Sequence, residues 1–428
     1  LSLPGGLGAW VGWPGPLGAA PPRPPAAGRA RALIQVWLWG GPSHIDTFDP
    51  KPEAGSDYTG PLTGTADAPV AGMRLGELLP RLAGQGRRFS LIRSMSHGVQ
   101  AHETASYLVQ TGWATGDGIV HPAVGAVTSW FLGGNGERSL LIPPYVVLTR
   151  PLGRFSEAGF LGSGAKPFAT GGNPAAERFA VEGIVVEGLS DERQRARREL
   201  LHRLDRLSRE LAGDPQLAAL RRCEEQAYEL ILGDARRVFD LTLEPDEVRE
   251  RYGRNTFGQS CLAARRLVEA GVPSVTINAQ GWDTHKQHFQ AMRRLLPEVD
   301  GGLSALLEDL DQRGLLESTV VWVTGEFGRT PKVAWEPPWN GGRGHHGHVF
   351  STLVAGGGFR GGVVVGASDA RAERVAERPV HPNDLMRAIY ELLGIDPAAL
   401  LPHPQGLEVP VLPQGDDSPG HGRLEEIL

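Results

Sequence analysis

Cysteine is nearly absent from this chain: Cys223 and Cys261 are the two in 428 residues. That scarcity argues against a disulfide framework or a thiolate metal site. Both residues fall in stretches of helical character and are expected as free, buried thiols. Also missing is any unbroken apolar run of roughly 18 residues, the length a membrane-spanning helix requires, so no transmembrane segment is expected. The formal net charge of −6 is modest and no basic block stands out. Aromatic residues are not interleaved with lysines, which argues against nucleic acid as a partner. No repeat of solenoid period occurs.

What the chain does have is mass for a core, with 40% hydrophobic residues. A chain of this length suggests one large α/β domain with insertions, or two domains. Leu1–Ala20 is rich in Leu, Gly, Ala and Pro and lacks basic residues. Residues 1–30 are therefore expected to be a flexible leader or the remnant of an export signal. The α/β domain is expected over 31–400, and the Pro/Gly-rich residues 401–428 as a polar tail.

Ala32–Leu38 is a largely apolar run long enough for one buried strand, and Gly40-Gly41-Pro42 ends it ahead of Ser43, His44, Asp46, Asp49 and Lys51. A buried strand that stops at glycines and charged side chains fits the carboxyl edge of a parallel sheet, where open α/β folds place ligands. Further strands are expected at Phe89–Arg93, Tyr145–Leu148, Ser274–Asn278, Thr319–Thr324 and Val349–Ala355. Helices are expected at Leu75–Gly84, Glu103–Gln110, Pro122–Phe131, Thr256–Ala270, Leu295–Arg313 and Pro382–Leu393. Pro50–Ala71 and Gly153–Pro174 read as irregular excursions. Ser190–Asp240 repeats leucine at helical spacing among arginine and glutamate, which predicts an inserted helical hairpin with a solvated charged face.

Four separated clusters carry chemistry: Asp46/Asp49, Asp283/His285/His288, Glu326, and His345/His346/His348. Each follows a strand candidate except the last, which precedes one. Parallel strands would bring these groups to one edge. A mixed carboxylate–imidazole set suits zinc or manganese, with calcium as the alternative that an all-oxygen set would favour. There are ligands enough for a two-metal site that holds the attacking and leaving oxygens of a phosphoryl or sulfuryl group. The other reading is that these are loop residues bonded to irregular backbone. Arg93, Arg329 and Arg343 lie near the same edges, either as oxyanion clamps or as structural ion pairs.

The segments WLWGGPSHIDTFDPK, AHETASYLVQTG, GWDTH, GEFGRTP, the paired histidines after Gly344, and RPVHPNDLMRAIYELLGID resemble the bacterial family known as domain of unknown function 1501. The resemblance covers roughly Ala32 to Pro397. That family is more remotely similar to the alkaline phosphatase/sulfatase superfamily. The resemblance implies a central, mostly parallel sheet flanked by helices, one or two divalent metals, and export to the periplasm or beyond. Asp46 (or Asp49) then matches the metal-bridging acid, and Asp283 and His285 match a later Asp…His pair. Glu326 falls where the superfamily has Asp-His, and His345 or His346 matches the last metal histidine. Phe327 departs from the expected histidine, and Gly344 from an expected aspartate. The nucleophile position falls near His102, with Thr104 close by and Ser96 earlier. Thr104 would act as a hydroxyl at a helix N-terminus or belong to the helix's first turn. His102 would act as acid or base, or ligate a metal.

Two classes of function follow. The first is a metal-dependent hydrolase of phosphate or sulfate esters, acting on small or polymeric substrates, with His102, Thr104 and Arg329 as catalytic candidates. Its metal candidates are Asp46, Asp283, His285, Glu326 and His345 or His346, grouped at one edge, with Asp49 and His288 peripheral. The second is a non-catalytic binding or structural module on the same fold. His381 stands before Pro382 and a first-turn Asp384, which makes it an architectural residue at a helix start.

Overall fold

The computed structural model describes residues 28–133, 142–150, 157–176, 236–415 and 419–428, with single positions between 179 and 199. β1 (Ala32–Leu38) is buried along its whole length. It lies between β5 (Ser274–Ala279) and β6 (Thr319–Thr324), parallel to both. Such a strand has no wet face, which is why its sequence is a largely apolar run without alternation, its one polar residue, Gln35, being bonded to Gln110. Its side chains nonetheless divide by period two: Ile34 and Val36 join one core, Leu33 and Trp37 the other.

The remaining strands of the central sheet are β2 (Phe89–Met95), β3 (Tyr145–Leu148), β4 (Phe168–Ala169), β7 (Phe350–Ala355) and β8 (Val364–Val365). The spatial order is β8-β2-β7-β6-β1-β5-β3-β4. Among the described strands of this sheet, β7 alone runs against its neighbours, pairing antiparallel with β2 and β6. The reversal has a direct effect on the site. The carboxyl ends of β1, β2, β5 and β6 share an edge with the amino end of β7, so residues just before β7 meet residues just after the others.

Helices cover both faces. α1 (His102–Thr111), α2 (Val124–Leu132) and α5 (Pro382–Leu392) pack on the core of Leu33, Trp37 and Trp322. α3 (Thr256–Glu269) and α4 (His288–Gln312) pack on the core of Ile34, Val36 and Val323. The fold is α/β with a mixed, largely parallel central sheet between helical layers. Among the described residues no helix is long and apolar enough to cross a membrane.

Several expectations need correction. The segment expected as a helix over Leu75–Gly84 gives Arg74–Gly76 to a short antiparallel ribbon, and only Pro80–Gly84 is helical. Pro80 is placed in the first turn, where its missing amide hydrogen is not needed. α4 begins two turns before the expected Leu295, and Pro297 lies inside it. An interior proline costs about 3 kcal/mol. It is tolerated because Met292, Leu296, Val299, Leu303 and Leu306 bury a continuous face.

The expected polar tail is not peripheral: Leu401, Val411, Leu412, Leu424 and Ile427 enter the core, and Leu400–Pro402 pairs with Glu408–Pro410. Those apolar residues are spread singly among prolines and glycines, too sparse to show a period. The helical hairpin expected over Ser190–Asp240 lies largely outside the described residues, as does Cys223. Cys261 is a free buried thiol.

Candidate metal centre

Three backbone turns build the site. After β1 the chain turns at Gly40 and Gly41, with φ of 113° and 84°. These angles suit glycine alone, and a Cβ on Gly41 would come within 2.7 Å of the Phe327 ring. The Gly40 amide donates to both carboxylate oxygens of Glu326, at 2.9 and 3.2 Å. After β5 the chain carries Asp283 and His285. After β6, Gly328–Arg329 pairs antiparallel with His345–His346, setting His345 opposite Arg329.

His102, the first residue of α1, is the hinge of the cluster. Its Nδ1 is 2.5 Å from Glu326 Oε1, and Trp39 stacks on its ring at 5.3 Å. Its Nε2 is buried without a hydrogen-bond partner, 3.4 Å from Asp283 Oδ1. His345 donates from Nδ1 to the Gln100 carbonyl at 2.7 Å, which leaves its Nε2 as a lone pair facing Asp283 Oδ1 at 3.5 Å. His285 Nε2 lies 3.2 Å from the same carboxylate oxygen and 2.8 Å from His345 Nε2. Donor atoms of His102, Asp283 and His345 all lie within 4.8 Å of one another.

This donor set fits a divalent cation. Bonds of 2.0–2.1 Å in a tetrahedron imply ligand separations of roughly 3.3 Å, close to the 3.4 and 3.5 Å from His102 and His345 to Asp283, whereas the 2.8 Å between His285 and His345 is a hydrogen bond between the two rings. An acceptor behind each of His102 and His345 fixes the tautomer that leaves Nε2 free, as metal-ligating histidines require. An unpartnered buried nitrogen aimed at a carboxylate and two further imidazoles is otherwise a cost without a return.

Electrostatics agree with the geometry. Burial opposes ionisation of Asp283, but the Arg329 guanidinium holds its carboxyl below the usual range. Burial lowers the pKa of His345 and of His285, which favours the neutral form of each ring. In His102 the carboxylates of Glu326 and Asp283 outweigh burial and raise the pKa. A cation at Nε2 would compete with a proton for that nitrogen.

Other expected site residues stand elsewhere. Glu326 is buried and its carboxylate serves His102 and Gly40, one step behind the donor atoms. Asp46 belongs to a separate buried network. Its carboxylate accepts from Ser43 at 2.5 Å, meets His288 Nε2 at 2.9 Å and pairs with Arg343 at 2.9 Å. Burial would raise its pKa, yet Arg343 and His288 bring it down to about 2. None of its bonds reaches Asp283, Glu326 or His345. The expected grouping of Asp46 with those residues is thus corrected, whereas His288, expected outside the cluster, does stand outside it, at the start of α4 and buried against Asp46. His346 faces away from the cluster, its Nε2 2.9 Å from the Glu373 carbonyl and its ring stacked with His44. Asp49 pairs with Lys51 at 3.0 Å.

The arginines are occupied too. Arg329 donates to the carbonyls of Gly40, Gly41 and Arg343 and to Asp283 Oδ1 at 2.5 Å, so it anchors a cluster residue and is not an open oxyanion clamp. Arg343 binds the carbonyls of Tyr58, Thr330 and Pro331 besides Asp46. Arg93 donates to Phe48 and Arg74 carbonyls. Thr104 is half-buried in the first turn of α1, and the helix's N-cap position is Ala101. Phe327 stacks on His345 at 4.8 Å and packs against His102 at 4.9 Å, an apolar wall where a further ligand was expected. Sequence reading missed the Gly40 amide and the Gln100 carbonyl. Backbone groups leave no trace in residue type, although the double glycine after β1 was the available sign.

The chain belongs to the family described as "Protein of unknown function (DUF1501)", whose model matches residues 30–417. No curated protein matches it. Remote structural similarity extends to the lipoteichoic acid synthase LtaP from Listeria monocytogenes, at 10% identity over 93% of this chain and 78% of that one, with a TM-score of 0.39. PsFucS1 sulfatase from Pseudoalteromonas sp. is 13% identical over 87% of this chain and 68% of that one, with a TM-score of 0.37. A protein in the alkaline phosphatase superfamily from Vibrio parahaemolyticus is 10% identical over 90% of this chain and 71% of that one, with a TM-score of 0.36.

Proposed function

We propose that this member of the DUF1501 family is a metal-dependent hydrolase of phosphate or sulfate esters. The observation that carries the reading is the convergence of His102 Nε2, Asp283 Oδ1 and His345 Nε2, with His285 Nε2 beside them. These residues would hold one divalent ion, zinc or manganese first and calcium as the alternative, given two or three imidazoles to one carboxylate. When bound, the ion would supply a Lewis acid for a phosphoryl or sulfuryl oxygen. Glu326 holds His102 in its ligating tautomer, and Arg329 holds Asp283 in place. We assign Thr104, in the same first turn as His102, as the nucleophilic hydroxyl. The substrate is a small or polymeric ester, not a nucleic acid. We assign an exported location, periplasmic or extracellular, on the composition of Leu1–Ala20, which resembles the end of an export signal.

The test is metal analysis of chain purified without chelator, followed by phosphatase, phosphodiesterase and sulfatase assays. The expected result is about one zinc or manganese per chain and ester hydrolysis that Thr104→Val reduces at least 100-fold. Protein that neither holds nor rebinds a divalent ion defeats the proposal. A second reading, a non-catalytic binding module, draws on Arg329 and Arg343 being fully engaged and on Phe327 as a wall. It requires metal binding without turnover of any ester, and hydrolysis lost in both Asp283→Ala and His345→Ala excludes it.

A further inference from the structure

On the turn bonded to the segment that carries His285, two tryptophans are left open. Trp335 and Trp339 expose 49% and 38% of their surface. Large aromatic rings on a protein surface bury well when given a partner, and two on one turn, one of them facing the His285 ring, mark a binding surface more than a folding need. They are also held still. Trp339 donates its amide to the Glu336 carbonyl at 2.9 Å, and Gly341 donates to Ala334 at 2.9 Å. Trp335 stacks on Phe289 at 5.8 Å with a 19° interplanar angle, and the Arg343 guanidinium lies 5.4 Å from the other ring of that pair. Gly341 has φ of 80°, and a Cβ there would sit 3.0 Å from the Trp335 ring, so glycine lets the ring lie against the turn.

The same turn is tied to the segment that carries His285. Gln287 donates its amide to the Trp339 carbonyl at 3.2 Å, His288 to Gly341 at 3.1 Å, and Arg343 to Thr284 at 3.1 Å. In consequence the Trp339 ring stands 6.1 Å from the His285 ring, inclined by 46°. The rings are flanked along the chain by exposed Glu336 and Asn340, and the tied segment adds exposed Lys286. A ligand that is apolar all over would need an enclosed apolar pocket. Open indole faces among polar side chains suit a ring with C–H faces and hydroxyl edges.

We infer that Trp335 and Trp339 form the alcohol-side subsite of the metal centre and that the group they bind is a carbohydrate ring. The ester acted on is then a sugar phosphate or a sugar sulfate. The inference rests on the hydrolase reading for its anion side and on the tryptophans for its ring side.

The test uses the full chain loaded with zinc or manganese and isothermal titration calorimetry with phosphonates, whose carbon–phosphorus bond survives hydrolysis. The probes are the 6-phosphonates of glucose, galactose and mannose, with methylphosphonate and benzylphosphonate beside them and neutral methyl glycosides as a further set. At least one hexose phosphonate is expected to bind ten-fold or more tightly than methylphosphonate. Trp339→Ala is expected to remove that advantage, Trp335→Ala to reduce it, and Trp339→Phe to restore part of it. A hexose advantage absent from the native chain, or surviving both alanine variants, overturns the inference. So does a benzylphosphonate whose affinity depends on the tryptophans more than any hexose does, which would assign the wall to aromatic alcohols. Methyl glycosides bound through Trp339 while methylphosphonate is not bound at all would uphold the carbohydrate subsite and sink the hydrolase reading instead. Methylphosphonate bound with no gain from any hexose would do the reverse.

Discussion

His102 Nδ1 and Glu326 Oε1 lie 2.5 Å apart although 224 residues separate them in the chain. The carboxylate also accepts the Gly40 amide, so the imidazole is the donor, and its Nε2 is directed at Asp283. Glu326→Gln keeps the size and an acceptor oxygen but removes the charge. Loss of an outer partner of this kind costs 10–100-fold in metal affinity. We expect a fall in that range, read by competition with a colorimetric zinc chelator, while circular dichroism stays native. Unchanged affinity would show that His102 is not a ligand.

Removal of a donor should abolish metal-linked stabilisation. A ligand at about 100 times its Kd raises stability by about 2.7 kcal/mol. The native chain is expected to melt several degrees higher with zinc or manganese than without, and Asp283→Asn to show no such gap. Asp46→Asn should lower the melting temperature in both conditions yet keep the gap, because Asp46 pairs with Arg343 and His288. A gap lost in Asp46→Asn would return Asp46 to the metal centre.

Arg343→Met tests the buried pair directly. Removing the guanidinium leaves the buried Asp46 carboxylate with Ser43 and His288 alone, and breaking a buried pair in this way should cost about 3–5 kcal/mol. Denaturant unfolding of Arg343→Met and of the double variant Asp46→Asn/Arg343→Met checks it. The double variant should recover part of the loss, and not all, since three backbone carbonyls also lose their donor. No recovery would mean that Arg343 acts through those carbonyls alone.

His381 caps α5: its Nδ1 accepts the Asn383 amide at 3.2 Å, and its own amide donates to the Asp384 carboxylate at 2.9 Å. Burial first, then His97, lowers its pKa to about 4. With an unfolded value near 6.5, the unfolded chain binds the extra proton between these limits. Its contribution is therefore fully present above about pH 6.5 and is lost as pH falls toward about 4. His381→Asn, a good N-cap residue, should melt near the native temperature at pH 8 and lose less on acidification to pH 5. An equal loss in both proteins would remove His381 from the acid response. Metal content should be the same in both.

Local signals in the chain were enough to place β1, β3 and β6 to the residue, because a buried strand between glycines and turn residues is specified by its own stretch of sequence. The same holds for the helix start at Pro382. The long-range pairings were not legible. Asp46 and Glu326 look equivalent, each an acid just past a buried strand, yet one answers to Arg343 and the other to His102. Nothing within a few residues of either distinguishes them, since their partners lie hundreds of positions away. His345 and His346 make the limit sharpest. Adjacent residues in an extended segment face opposite sides. Which side meets Asp283 depends on the register that pairs His345 with Arg329 and His346 with Gly328, and on β7 running against its neighbours so that its first residues arrive at the shared edge. The sequence alone determined that two histidines stand there; register and strand direction, properties of the assembled sheet, decided that His345 joins the cluster and His346 binds the Glu373 carbonyl.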